Sequence, residues 1–211
     1  MTGKALLIGT TIAAVAFLAG CTEGTDGDGP LSRTLTWALG IANPLADTWN
    51  ENHKITLIIG VWVNENGELG EPPDNPAWGI LYTDDDDSAG YGVLVHYEGY
   101  TETEESDAPE ITEELDDYSD KDVEDWLDKA IEIMEDHPDP LDAYDYILFI
   151  RYEPLLWERD VAYIYFFEED DQDTDYDYEP WEWKGILQDC HAFVWLDAAS
   201  DDVLLKSWLD W

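Results

Sequence analysis

Six carboxylates between residues 171 and 182 come closest to the spacing of a chemical site. Asp171, Asp173, Asp175, Asp177, Glu179 and Glu182 fall at positions one, three, five, seven, nine and twelve of a calcium-loop frame. Calcium takes about six to eight oxygen ligands, which this set could supply. Tyr176 stands at the sixth position, where the sharp turn of such a loop calls for Gly. A solvated acidic loop is the competing reading, and calcium is the one cofactor the chain suggests. Asp189-Cys190-His191 offers a thiol beside an imidazole, but neighbours in an extended strand point to opposite faces and could not act as a nucleophile and base pair. His53, His96, His137 and His191 make no metal-binding spacing with one another or with cysteine. Neither a nucleophilic-serine elbow nor a phosphate-binding glycine loop is present, so no enzymatic activity is expected.

Aromatic residues are the second chemical feature. The chain has 11 Trp and 12 Tyr, and they concentrate after residue 143. The segments 144–152 and 161–167 are apolar or aromatic on both faces of an extended chain. One reading is a thick core covered on each side. The other is an exposed aromatic surface for a peptide, a glycan or a protein, centred on Tyr163, Tyr165, Trp181 and Trp183.

The chain begins with a targeting signature. Lys4 precedes an apolar run, Ala5 to Ala19, of signal-peptide length and short for a membrane span. The run ends in Leu18-Ala19-Gly20-Cys21, which resembles the lipobox of secreted lipoproteins. That resemblance implies a signal peptide over residues 1–20, cleavage before Cys21 and a lipid on its sulfur. Residues 21–30, rich in Gly, Asp and Thr, read as a flexible tether. Cys190 is then the one remaining cysteine, without an intramolecular disulfide partner, and is expected as a buried thiol.

Charge narrows the partners. The 211 residues carry 51 Asp and Glu against 9 Lys and Arg, a formal net charge of -42. Nucleic acid is excluded as a partner, since phosphate contacts need Lys and Arg. Acids on nearly every polar face resemble proteins of organisms living at molar salt. There the Debye length is about 3 Å and carboxylate repulsion is screened. The alternative is an acidic protein that collects divalent cations in ordinary media.

The elements fall into two similar sets. Leu35, Ala38, Leu39, Ala42, Leu45, Ala46 and Trp49 recur at helical spacing, with a break between two short helices allowed at Asn43-Pro44. Strands follow over 55–63, 78–82 and 91–97. Val123, Trp126, Leu127, Ala130, Ile131 and Met134 form a clear helical stripe, opened by Ser119 and Asp122 as a capping box and stopped at His137-Pro138. Strands follow over 144–152, 161–167 and 191–197. The fold expected is α+β, with an antiparallel sheet or sheets and helices packed on one face. It comprises a first αβββ unit over 31–100, an acidic linker over 101–118 and a second αβββ unit over 119–211.

The run Phe193-Val194-Trp195-Leu196-Asp197-Ala198-Ala199-Ser200-Asp201-Asp202-Val203-Leu204 resembles the terminal hairpin of PepSY-type domains. Ser200-Asp201 replaces the Thr-Gly usual in that turn, so no positive φ is expected there. The resemblance implies small αβββ-like modules, cystatin-like in shape, with roles in regulating envelope proteases, and it brings no catalytic residues. Together these readings lead to the expectation of a membrane-held, extracytoplasmic binding or regulatory module with an envelope or secreted protein as partner. The alternative is a small solute-binding lipoprotein that works with a transporter.

Overall fold

The computed structural model describes residues 32–70, 76–135, 143–168 and 190–208. Helix α1 spans Leu35–Trp49 and helix α2 spans Asp120–Glu135. The strands are β1 (His53–Val63), β2 (Ala77–Asp84), β3 (Ala89–His96), β4 (Thr101–Asp107), β5 (Ala143–Glu153), β6 (Arg159–Glu168), β7 (Ala192–Asp197) and β8 (Val203–Trp208).

The two tandem αβββ units expected from the sequence are not what forms. All eight strands make one antiparallel sheet in the order β4-β3-β2-β1-β5-β6-β7-β8. Four strands, not three, follow each helix. The stretch expected as an acidic linker contains β4, whose sequence TETEESD is exposed along nearly its whole length. The physical reason lies in which strands can tolerate an open edge. Ile58, Ile59, Trp62 and Val63 of β1 and Tyr146 to Ile150 of β5 are buried on both faces of the sheet. An edge made of either would leave backbone donors and acceptors unpaired beside apolar side chains, so the two pair with each other at the centre. Charged β4 is suited to the margin, where acids discourage pairing with other chains.

Period-two alternation divides the sheet between two cores. On one side Ile80, Val93, Leu148, Ile164, Phe166 and Val194 pack with Leu35, Ala38, Ala42 and Ala46 of α1 and with Val123, Trp126, Leu127 and Ala130 of α2. On the other, Ile59, Trp62, Ile147, Phe149, Val161, Tyr163, Phe167 and Cys190 form a second cluster. Gly60 is required where the Trp78 ring crosses β1, because a Cβ there would meet that ring and the Val63 side chain at 2.6 Å.

Local signals at the helices resolve clearly. Thr34 caps α1 through its hydroxyl, and the helix runs unbroken through Pro44, contrary to the break the sequence allowed. Packing of the Leu35, Ala38, Ala42 and Ala46 face outweighs the one hydrogen bond that proline removes. Ahead of α2, the Ser119 N–H donates to Asp122 Oδ2 at 2.7 Å, which is the return half of a capping box. The β7–β8 turn corrects a further expectation, since Asp201 adopts a φ of 58°. Asp tolerates that left-handed region better than most residues. The Asp201 N–H also donates to the Asp197 carbonyl at 2.9 Å, closing the turn.

Candidate binding site at the β5–β6 turn

The site grows from the end of β5. Strands β5 and β6 pair down to Glu153 opposite Arg159, and Pro154 to Glu158 join them. The turn closes when the Glu158 N–H donates to the Glu153 carbonyl at 2.8 Å, with Glu158 at a φ of 52°. Glu153 is only 7% exposed, and its carboxylate is fully engaged. Oε1 accepts from the Leu155 N–H at 3.1 Å, while Oε2 accepts from Arg151 Nη2 at 3.2 Å and from the Tyr163 hydroxyl at 3.0 Å. Burial would raise the pKa of this carboxyl. The Leu155 N–H, the Tyr163 hydroxyl and the Arg151 charge outweigh burial and hold it below the usual range.

A second ion pair lies alongside. Arg159 Nη1 bonds Asp197 Oδ2, and Arg159 Nε donates to the Trp157 carbonyl at 3.2 Å. Asp197 is buried and its Oδ1 accepts from the Ala199 N–H at 3.0 Å. Desolvation of Asp197 is outweighed by Arg159 and these backbone donors, so its pKa is also lowered. Behind the two pairs the rings stack inward in a continuous series. Trp157 meets Trp195 edge-on at 5.9 Å, Trp195 meets Tyr163 at 5.0 Å, and Arg151 lies over the Tyr163 ring at 5.2 Å.

This bracing presents two apolar side chains to water. Leu155 is 88% exposed and Leu156 is 67% exposed, the two most exposed large hydrophobic residues among those described. The backbone N–H of Leu155 is fixed by Glu153, so the turn that carries the leucines is anchored where it leaves β5.

The residues singled out in the sequence are placed differently. Tyr163 is 4% exposed and part of the second core cluster, and Tyr165 is half-buried against it. Burial pushes both hydroxyls up to about 12. Tyr163 supports the turn through Glu153, and Tyr165 packs against Phe149 and Phe193 along the strand. Trp181 and Trp183, Cys21 and the carboxylates Asp171, Asp173, Asp175, Asp177, Glu179 and Glu182 lie outside the described residues. Among the described residues, no group of three or more His, Cys, Asp or Glu side chains could hold a metal ion. Cys190 is buried in the second cluster. His96 stacks on Tyr100 at 4.0 Å, and burial lowers its pKa against the opposing pull of Glu102 and Glu98.

Sequence reasoning passed over Leu155 and Leu156 as part of a connection between strands. The signal was available: Pro154-Leu155-Leu156-Trp157 places three large apolar residues where turn chemistry favours polar ones. No family model matches the chain, and neither a curated protein nor a solved structure is found similar to it.

Proposed function

We propose that this chain is an extracytoplasmic, lipid-anchored, salt-adapted binding and regulatory module that holds an envelope or secreted protein, with proteases as one class it would modulate. The observation that carries this reading is the exposed Leu155–Leu156 pair on a turn braced by buried Glu153. Burying a leucine is worth about 1.5–3 kcal/mol, so the pair can supply the apolar anchor of an interface. Cys21 carries the anchor in this reading, and residues 21–30 give the body its reach from the membrane. The net charge of -42 ties folding to salt. The thermal midpoint should rise steeply between millimolar and molar NaCl, and an unchanged midpoint in a scanning fluorescence series contradicts the salt-adapted part.

Crosslinked co-purification from native membranes at molar salt tests the rest. Wild-type protein should recover one dominant protein partner, and the double variant Leu155→Asp, Leu156→Asp should lose it by about 100-fold or more. Cys21→Ser should release the chain from the membrane fraction. Equal recovery by the double variant overturns the binding role, and membrane retention of Cys21→Ser overturns the anchor.

A further inference from the structure

The surroundings of the two leucines specify what can cover them. Both arginines nearby are already committed, Arg151 to Glu153 and Arg159 to Asp197. The charges left over at this end of the sheet are acids. Glu158 is exposed beside the leucines. Asp116 and Asp117 are exposed on the strap that Asp160 ties down by accepting from the Asp116 N–H at 3.0 Å and the Tyr118 hydroxyl at 2.7 Å. Asp202 is exposed on the β7–β8 turn, where its carbonyl accepts from the Asp197 N–H. Exposed carboxylates stand with the leucines at this end of the sheet, so a surface that covers the tip must also meet acids at contact range.

Position in the fold points the same way. Ser32 and Arg33 are tied to Glu68 and to the Tyr97 carbonyl, in the β1–β2 and β3–β4 connections. Because β1 and β5 are antiparallel, those connections leave the end of the sheet opposite to the β5–β6 turn. Ser32 and Arg33 therefore lie at the end of the sheet away from the leucines.

We propose that the β5–β6 turn docks into an apolar cleft rimmed by Lys or Arg on a partner protein, with Leu155 and Leu156 in the cleft and Glu158, Asp116 and Asp202 against the rim. This deepens the binding-module reading and rests on it. At molar salt the Debye length is about 3 Å, so the rim acts through direct ion pairs and not through long-range attraction. A rim without cations would leave these acids desolvated and unpaired, which penalises the wrong partner.

The test uses the purified full chain in ~2 M KCl and three amphipathic helical peptides that share one leucine face. Their flanks are arginine, serine or glutamate, and binding is read by fluorescence anisotropy of a label on the peptide. The arginine-flanked peptide should bind at least ~10-fold tighter than the serine one, and the glutamate one should not bind. The preference should shrink in Glu158→Lys, and all binding should fall in Leu155→Ser, Leu156→Ser, whose circular dichroism should match wild type. Equal binding of the arginine and serine peptides overturns the cationic rim. Equal binding by the leucine variant, or binding to vesicles of anionic phospholipid, overturns the docking itself. A membrane partner lost on Leu155→Asp, Leu156→Asp, together with no arginine preference, leaves the binding module standing and removes the cationic rim. Failure of both removes the two together.

Discussion

Two turns at the same end of the sheet solve the same backbone problem in different chemistry. The β2–β3 turn is braced by Asp84, which accepts from the Ser88 N–H at 2.7 Å, the Ala89 N–H at 3.0 Å and the Ser88 hydroxyl at 2.6 Å. The β5–β6 turn is braced by Glu153 in the same manner. Each turn places one residue at a positive φ, Asp87 at 55° and Glu158 at 52°. Their tips diverge completely. Asp85, Asp86 and Asp87 are exposed acids, with Asp87 paired to Lys54 at 2.6 Å, whereas Leu155 and Leu156 are exposed and apolar. The acidic turn shows that this end of the sheet can be closed with side chains that water favours. Leucines at the second turn are therefore not demanded by folding. In the proposed reading a partner surface covers them.

That contrast can be broken in four ways, beginning with the largest effect. Leu155→Asp with Leu156→Asp makes the second turn resemble the first. Partner binding should drop about 100-fold or more, since two buried leucines are lost, while the thermal midpoint at molar salt stays within the scatter of surface substitutions. The converse substitution, Asp85→Leu with Asp86→Leu, should not restore binding to that variant, because the β2–β3 turn is closed by Asp84 and the Lys54–Asp87 pair and not backed by Trp157, Trp195 and Tyr163.

Next comes the brace. Glu153→Ala strips the partners from Arg151 and the Tyr163 hydroxyl and frees the Leu155 N–H. It should cost about 2 kcal/mol in denaturant unfolding at molar salt. Asp84→Ala at the solvated turn should cost less, and a larger loss there would invert the contrast.

Third is acid. The folded pKa of Glu153 lies below its unfolded value, so the stability it contributes is present above the ordinary carboxylate range and is lost as pH falls through the lowered value. The stability difference between wild type and Glu153→Gln should therefore be constant near neutrality and narrow below about pH 4, where the wild-type carboxylate takes up its proton. A difference that persists undiminished to about pH 2 would mean that the charge of Glu153 is not what braces the turn.

The smallest effect concerns the rings behind the turn. Trp157→Leu keeps an apolar side chain but removes the edge-on contact with Trp195. It should cost about 1 kcal/mol and weaken binding by less than ~10-fold. Loss of binding as complete as in the leucine variant would move the contact surface from the tip to the rings.

The sequence announced some of this and hid the rest for identifiable reasons. The stripe Val123, Trp126, Leu127, Ala130 marks α2 because a helix buries every third or fourth residue, and Ser119 with Asp122 marks its start. Apolar runs mark β1, β5 and β6. Local periodicity does not say which strands pair, so the union of β1 with β5 into one sheet was invisible and two separate units were expected. β4 escaped because an edge strand of Thr and Glu buries almost nothing and reads as a linker. At the site, the sequence shows β6 apolar or aromatic on both faces but carries no information on how deeply the face with Tyr163 and Tyr165 is covered. Pro154-Leu155-Leu156-Trp157 marks an apolar turn in the sequence, and the structure adds how far the two leucines are exposed.

The most direct measurement compares the two turns within one experiment. A photocrosslinking amino acid is placed at Leu156 in one full-length chain and at Asp86 in another, and both are irradiated in native membranes at molar salt. A dominant protein adduct from position 156, with none from position 86, is the predicted result. Adducts of equal yield from both turns, or from position 156 to lipid or to a second copy of the chain alone, would contradict the claim that the β5–β6 turn is a binding element.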